Sequence, residues 1–206
     1  MKKTNLMRIA AATTGTIVLA GMATAALAEE NHEENSVDVE VEISEITEPG
    51  ILALTVGGTS TALTETGTDE LVREFTGTLP TVTVTDTRSP EDIPADAAWY
   101  VLGSGTDFVG ADGQDSIGAG HLGWIPRMID GGEAGLVGEG DPVDTVLDPG
   151  PNNVGLVDQE LLASVWNSGQ VASEGQWTAT ADLFLRTPAG VAPGTYASTL
   201  TLSLFE

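Results

Sequence analysis

The chain of 206 residues has no cysteine, two histidines, and seven Lys plus Arg against 31 Asp plus Glu. Without cysteine there is no disulfide, no thiol nucleophile and no thiolate metal site. Two histidines, of which His32 sits among glutamates, leave His121 as the single candidate base for a Ser/His/Asp arrangement. Beside Gly120 and Leu122 it reads as a structural or surface residue. A formal net charge of −24 sets the chain against nucleic acid and anionic membrane surfaces, which would repel it. Helix-favouring Lys and Gln are scarce, so long helices are not expected. Also missing are a G-x-S-x-G elbow, a phosphate-binding or dinucleotide glycine pattern and a histidine cluster for zinc. The composition is neither collagen-like nor that of a coiled coil.

What the chain does have begins with a leader. Residues 1–28 combine Lys2, Lys3 and Arg8, an apolar stretch around residues 17–19, and Ala26 and Ala28 in an A-x-A arrangement, the pattern of a secretory signal peptide cleaved after Ala28. Thr13, Thr14, Gly15 and Thr16 interrupt the apolar part, which falls short of the roughly 18 residues of a membrane span. No later stretch is long enough either, so no membrane insertion is expected after cleavage. The mature chain would start at Glu29 and carry four arginines against all 31 acids, a balance of −27. Its 178 residues suit one domain that needs no disulfide.

Residues 29–36, EENHEENS, hold four carboxylates and no apolar side chain, and read as a flexible acidic tail. From there residues 37–206 read as one domain. Val37, Val39, Val41 and Ile43 alternate with polar residues in the period-two pattern of a half-buried strand. Further strands are expected over 51–56, 79–85, 98–102, 177–186 and 195–205, separated by Gly, Pro, Asn and Asp clusters. The spacing predicts an all-β, antiparallel β-sandwich of immunoglobulin-like or Greek-key type with long Gly-rich loops. The last two runs, joined by TPAGVAPG, are expected to form a hairpin. Residues 158–167 fit a helix capped by Asp158 or a strand, with strand preferred. The middle, 103–155, holds 14 of the 25 glycines and is expected to be long loops, apart from a short strand in GAGHLGWI that brings Leu122 and Trp124 to the core.

Two Asp-bearing loops, with Asp107, Asp112 and Asp115 and with Asp141, Asp144 and Asp148, offer oxygens of the kind calcium accepts. Neither has the twelve-residue loop spacing, so they read first as solvated loop residues, and no cofactor is required. Four tryptophans are the other candidates, because an aromatic face stacks on a sugar ring. Core packing is the default reading for all four and the firmer one for Trp124 and Trp166, which have apolar neighbours. Trp99 and Trp177 begin strands beside loops, where one face can stay open.

The order Val84, Asp86, Arg88 in VTVTDTR, Trp99 in AAWYVLGSGTDF, the Gly-rich middle and the ending ADLFLRTPAGVAPGTYASTLTLSLFE resembles the WxL domain of Gram-positive surface proteins. The resemblance spans about 37–206 and implies a β-sandwich that is exported and holds noncovalently to the cell wall through peptidoglycan. Trp99 matches the first motif tryptophan, with its leucine one residue late. Leu202 stands where the second motif tryptophan would be, so the chain resembles a divergent, WxL-like member of that family. On this reading it is a secreted, non-catalytic surface module whose partners are cell-wall glycan or other surface proteins. Trp99, Tyr100 and Trp177 are the wall-binding candidates, and Asp86 and Arg88 the scaffold of the motif. Two alternatives stay open: a glycan-active hydrolase with an Asp/Glu pair in a cleft beside Trp99, and a subunit of a surface assembly that pairs through an unprotected strand edge.

Overall fold

A computed structural model of the chain describes residues 50–206. The signal peptide, the acidic tail and the strand expected over 37–43 lie outside the described residues.

In chain order the strands are β1 (Leu52–Val56), β2 (Thr64–Thr68), β3 (Val72–Thr78), β4 (Val82–Asp86), β5 (Trp99–Gly105), β6 (Val109–Gly110), β7 (Leu122–Asp130), β8 (Val137–Glu139), β9 (Glu160–Val165), β10 (Gln176–Pro188), β11 (Tyr196–Ala197) and β12 (Leu200–Phe205). The α-helix α1 (Ser168–Val171) is a single turn whose Asn167 side chain caps it by accepting from the Gln170 amide. All strand pairs are antiparallel, so the chain is an all-β, sandwich-like fold. A six-stranded sheet runs β1-β4-β10-β3-β2 with β7 also on β10, a four-stranded sheet runs β12-β5-β9-β8, and β11 pairs with β6.

The alternation along β10 explains its central place. Trp177, Ala179, Ala181, Leu183 and Leu185 point inward and are buried, while Thr178, Asp182 and Arg186 between them are partly exposed on the outer face. Its 13 residues pair with β4 and then β3 along one edge, and with β7 along the other. Trp99, Val101, Leu162 and Val165 of the four-stranded sheet join the same core, and the Trp99 and Trp177 rings meet at 5.4 Å between centroids.

Three expectations about elements change. The last two strand runs form no hairpin: both edges of β10 are occupied, so the chain crosses from the six-stranded sheet to the other one, where β12 pairs with β5. The second run is itself split into β11 and β12. The Gly-rich middle is less loop than expected, since it contributes β6, β8 and the nine-residue β7, which buries Leu122 and Trp124. Glycine serves that strand at Gly123, where a Cβ would lie 2.4 Å from the Phe184 ring and 2.6 Å from the Val143 carbonyl oxygen. The segment 158–167 is a strand over its central part.

Candidate binding face

The V-x-D-x-R motif places a charge in the core, and the fold is arranged to answer it. Val82, Val84 and Asp86 are the inward residues of β4, so Asp86 extends an apolar row and is 1% exposed. A lone buried carboxylate would be strongly unfavourable. Arg88 answers it in fork geometry, with Nε donating to Oδ1 at 2.9 Å and Nη2 to Oδ2 at 2.7 Å, while the Arg88 amide donates to Oδ1 at 3.1 Å. Its Nη1 donates to Glu206 Oε1 at 2.6 Å. Its hydrogen bonds to Asp86, and to a lesser extent to Glu206, hold the guanidinium above its ordinary range, although burial opposes this. One arginine thus ties the end of β4 to the residue after β12.

That residue follows Phe205, which is paired in register with Tyr100 of β5. The two rings stack at 5.4 Å with 16° between their planes, and are 36% and 37% exposed. Tyr100 and Leu102 alternate with the buried Trp99 and Val101, so the aromatic pair stands on the outer face of the four-stranded sheet. Along the same row lie Ser164 of β9 and Gly138 of β8, small residues that leave the face low beside the rings. A Cβ at Gly138 would meet nothing within 4 Å. Trp166, two residues beyond Ser164, is 88% exposed. The arrangement is an aromatic step beside a shallow shelf, which can stack on the apolar face of a flat ring and leave room for its neighbours.

The sequence candidates are redistributed. Trp99 and Trp177, named as wall-binding candidates because one face could stay open, are 0% and 1% exposed and cannot touch a ligand in the folded protein. The reason is the register: each is the first inward residue of a strand whose inward side lines the core. The Trp177 indole donates to Glu174 Oε2 at 2.9 Å. Trp166, expected in the core, is instead the most exposed tryptophan, because it is in phase with Ser164 rather than with Val165. Trp124 is buried. Tyr100 remains on the surface, and Phe205 joins it without having been singled out. A void of about 10 Å³ lies beside the two core indoles, and no carboxylate lines it.

Two of the six Asp in these loops have their oxygens engaged internally. Asp107 accepts from the Ala119 amide, and Asp148 accepts from the amide and hydroxyl of Thr145 and pairs with Arg186. Among the described residues, no group of three or more His, Cys, Asp or Glu is placed to hold a metal ion. His121 Nδ1 lies 2.7 Å from the Arg186 carbonyl oxygen, a bond that joins the loop to β10. A second depression, of about 510 Å³, lies on the outer face of the six-stranded sheet, with Glu74, Asp182, Phe184 and Arg186 among its lining. Arg186 is paired there with Glu74 and Arg127 with Asp182, while Asp144, also in the lining, has no such partner among the described residues. Among the described residues, no helix is long and apolar enough to cross a membrane.

No protein-family model matches the chain, and no curated protein matches it. Among solved structures, a family 123 glycoside hydrolase from Clostridium perfringens, described in a structural analysis of glycolipid glycan hydrolysis, is similar at 12% identity and a TM-score of 0.31. The likeness covers 65% of this chain and 18% of that one, so the chain spans less than a fifth of that structure's length. A likeness of this extent carries neither fold nor activity across.

Proposed function

We propose that the protein is a secreted, non-catalytic cell-surface module that associates noncovalently with cell-wall glycan through the outer face of its four-stranded sheet. The observation that carries this reading is the exposed Tyr100–Phe205 stack, in register across β5 and β12 and beside the low shelf of Ser164 and Gly138. Tyrosine and phenylalanine held in a sheet lose little side-chain freedom on binding, so a sugar ring meets a preformed surface. The Asp86–Arg88 motif then acts as scaffold, because Arg88 holds Glu206 and with it the end of the strand that bears Phe205. The resemblance to the WxL domain supports the same class of ligand, with the contact moved from Trp99 to its neighbour Tyr100. A mature balance of −27 is compatible with a largely neutral glycan and argues against an anionic polymer as the principal ligand.

The test is a pull-down with purified cell walls. The protein should sediment with walls, and a Tyr100→Ala, Phe205→Ala double variant should lose binding by about tenfold or more while keeping its β-type circular dichroism. Trp166→Ala should weaken binding less, because Trp166 lies beyond the stacked pair. Unchanged binding by the double variant would overturn the assignment of the face.

A further inference from the structure

We propose that the loops around Gly120 and over residues 143–157 form a second, separate surface that docks a partner protein presenting apolar and basic side chains together. Val146, Leu147, Val154 and Val157 are 47%, 39%, 45% and 54% exposed. Two of them stand together. A Cβ at Gly120 would lie 2.8 Å from Val146 Cγ1 and 3.6 Å from Val157 Cγ2, so these two valines converge over one glycine. The Gly155 backbone, at φ +66°, packs against Gly120 so closely that a Cβ there would come within 2.4 Å of the Gly120 carbonyl oxygen.

The loop cannot fold these side chains inward, because its backbone is committed elsewhere. The Val146 amide donates to the Gly120 carbonyl at 2.9 Å, the Gly155 amide to the Asp144 carbonyl at 2.8 Å, and the Asp144 amide to the Asn152 carbonyl at 2.9 Å. The Asn152 side chain donates to the Pro142 carbonyl at 2.8 Å and that of Asn153 to the Asp148 carbonyl at 3.0 Å. Thr145 is fully buried beneath, bonded twice to Asp148, which Arg186 ties to β10. Leu156 is also fully buried, and its amide donates to the Leu122 carbonyl at 2.9 Å. Between these anchors the valines are held outward. A rigid loop that displays several aliphatic side chains meets the binding of a partner without an ordering cost.

Charge selects the occupant. Between Arg127 and Arg186 the chain has no Lys or Arg, while Asp141, Asp144 and Asp158 flank the valines in sequence, Asp148 being neutralised by Arg186. Among the described residues every arginine is already paired with a carboxylate, and Asp144 and Asp158 have no such partner. A second copy would bring the same sign to the same face and be repelled. A partner with basic residues around an apolar centre satisfies both features.

The test is a nuclear magnetic resonance titration of the isotopically labelled protein with three synthetic peptides, of alternating Leu and Lys, of Leu and Glu, and of Ser and Lys. The Leu/Lys peptide should shift the amides of Gly120, Val146, Val154 and Val157 ahead of all others. The other two should bind roughly tenfold more weakly, and a Val146→Ser, Val157→Ser variant should lose a similar factor for Leu/Lys while its remaining spectrum is unchanged. Shifts scattered over the acidic surface, equal binding of Ser/Lys, absence of binding, or an unaffected variant would each overturn the proposal. So would concentration-dependent line broadening of the protein alone at these amides, which would identify a second copy as the occupant. Wall binding through Tyr100 and Phe205 is read separately and is expected to survive the double serine variant.

Discussion

Replacing Arg88 by alanine removes both guanidinium bonds to Asp86 and the one to Glu206, yet leaves the carboxylate in place at 1% exposure. What remains for Asp86 is the backbone amide of residue 88, at 3.1 Å in the parent. Breaking a buried pair in this way costs about 3–5 kcal/mol, because a charge is left without its partner. Against the roughly 5–15 kcal/mol of a typical domain that is a large share. At about 2–4 °C per kcal/mol for a domain of this size, the melting temperature should fall by roughly 6–20 °C. Chemical denaturation followed by fluorescence measures this well, since Trp99, Trp124 and Trp177 are buried and will report loss of the core. Two further variants separate the burial of charge from the loss of packing. The Asp86→Ala, Arg88→Ala pair removes the stranded charge and should be less than additive. Glu206→Gln, at a side chain 33% exposed, should cost no more than about 1 kcal/mol. If Arg88→Ala lies within about 1 kcal/mol of the parent, the argument that this motif is a buried electrostatic clamp is wrong.

Trp99→Ala should cost about 3–5 kcal/mol in chemical denaturation, as a large core truncation does, in contrast to Tyr100→Ala on the adjacent outward position, whose effect should appear mainly in wall binding; equal stability costs for the two would contradict the register described for β5. Gly123→Ala should lower the melting temperature, with a cost of about 1–3 kcal/mol, because the Phe184 ring can swing away from the new methyl group whereas the Val143 carbonyl 2.6 Å from it belongs to a bridged backbone; a variant as stable as the parent would show that β7 and residue 143 do not approach this closely. Glu65 is held at about 2, against an ordinary value of 4.5, first by its hydrogen bonds to Arg73 and then by Thr68. Since its folded value is depressed, the contribution of this pair is complete above about pH 4.5 and is lost as the pH falls through about 2. A carboxyl titration by nuclear magnetic resonance should find that midpoint, and Arg73→Gln should return it toward 4.5; a parent midpoint already near 4.5 would mean that the pair does not persist in solution.

How much of this was legible depends on what alternation can and cannot encode. It locates β4, β5 and β10 because their inward residues alternate with more exposed ones, and period two is the imprint of that asymmetry; β9 buries the consecutive Leu162 and Ala163, and its pattern fits a helix as well as a strand. It misses β2, TETGT, because all five residues are exposed and no side is apolar. The β2–β3 pairing is instead closed by polar contacts, with Arg73 bidentate on Glu65 and the Asp69 carboxylate accepting from the Leu71 and Val72 amides. Such contacts leave only an unremarkable scatter of Thr, Glu and Asp in the sequence. For the tryptophans the signal was present but was read by neighbourhood rather than by phase. Trp166 follows Val165 yet shares its side with Ser164, while Trp99 shares its side with Val101 and is therefore inward. Phase alone also puts Phe205 with Ser203 and Tyr100 with Leu102, on the outward side.

Which strands become neighbours is a different kind of information, carried by long-range pairing that no local pattern records. Two adjacent amphipathic runs joined by a Pro- and Gly-bearing connector would form a hairpin if the first had a free edge. Here β10 has none, because β7 reaches it from one side and β3 and β4 from the other. The connector must carry the chain over to the second sheet, and that crossing brings Phe205 beside Tyr100 and Glu206 beside Arg88. Had the two runs paired with each other, β12 would lie in the other sheet and Tyr100 would face the outside alone. The aromatic pair and the clamp that secures its strand are thus consequences of β10 being full.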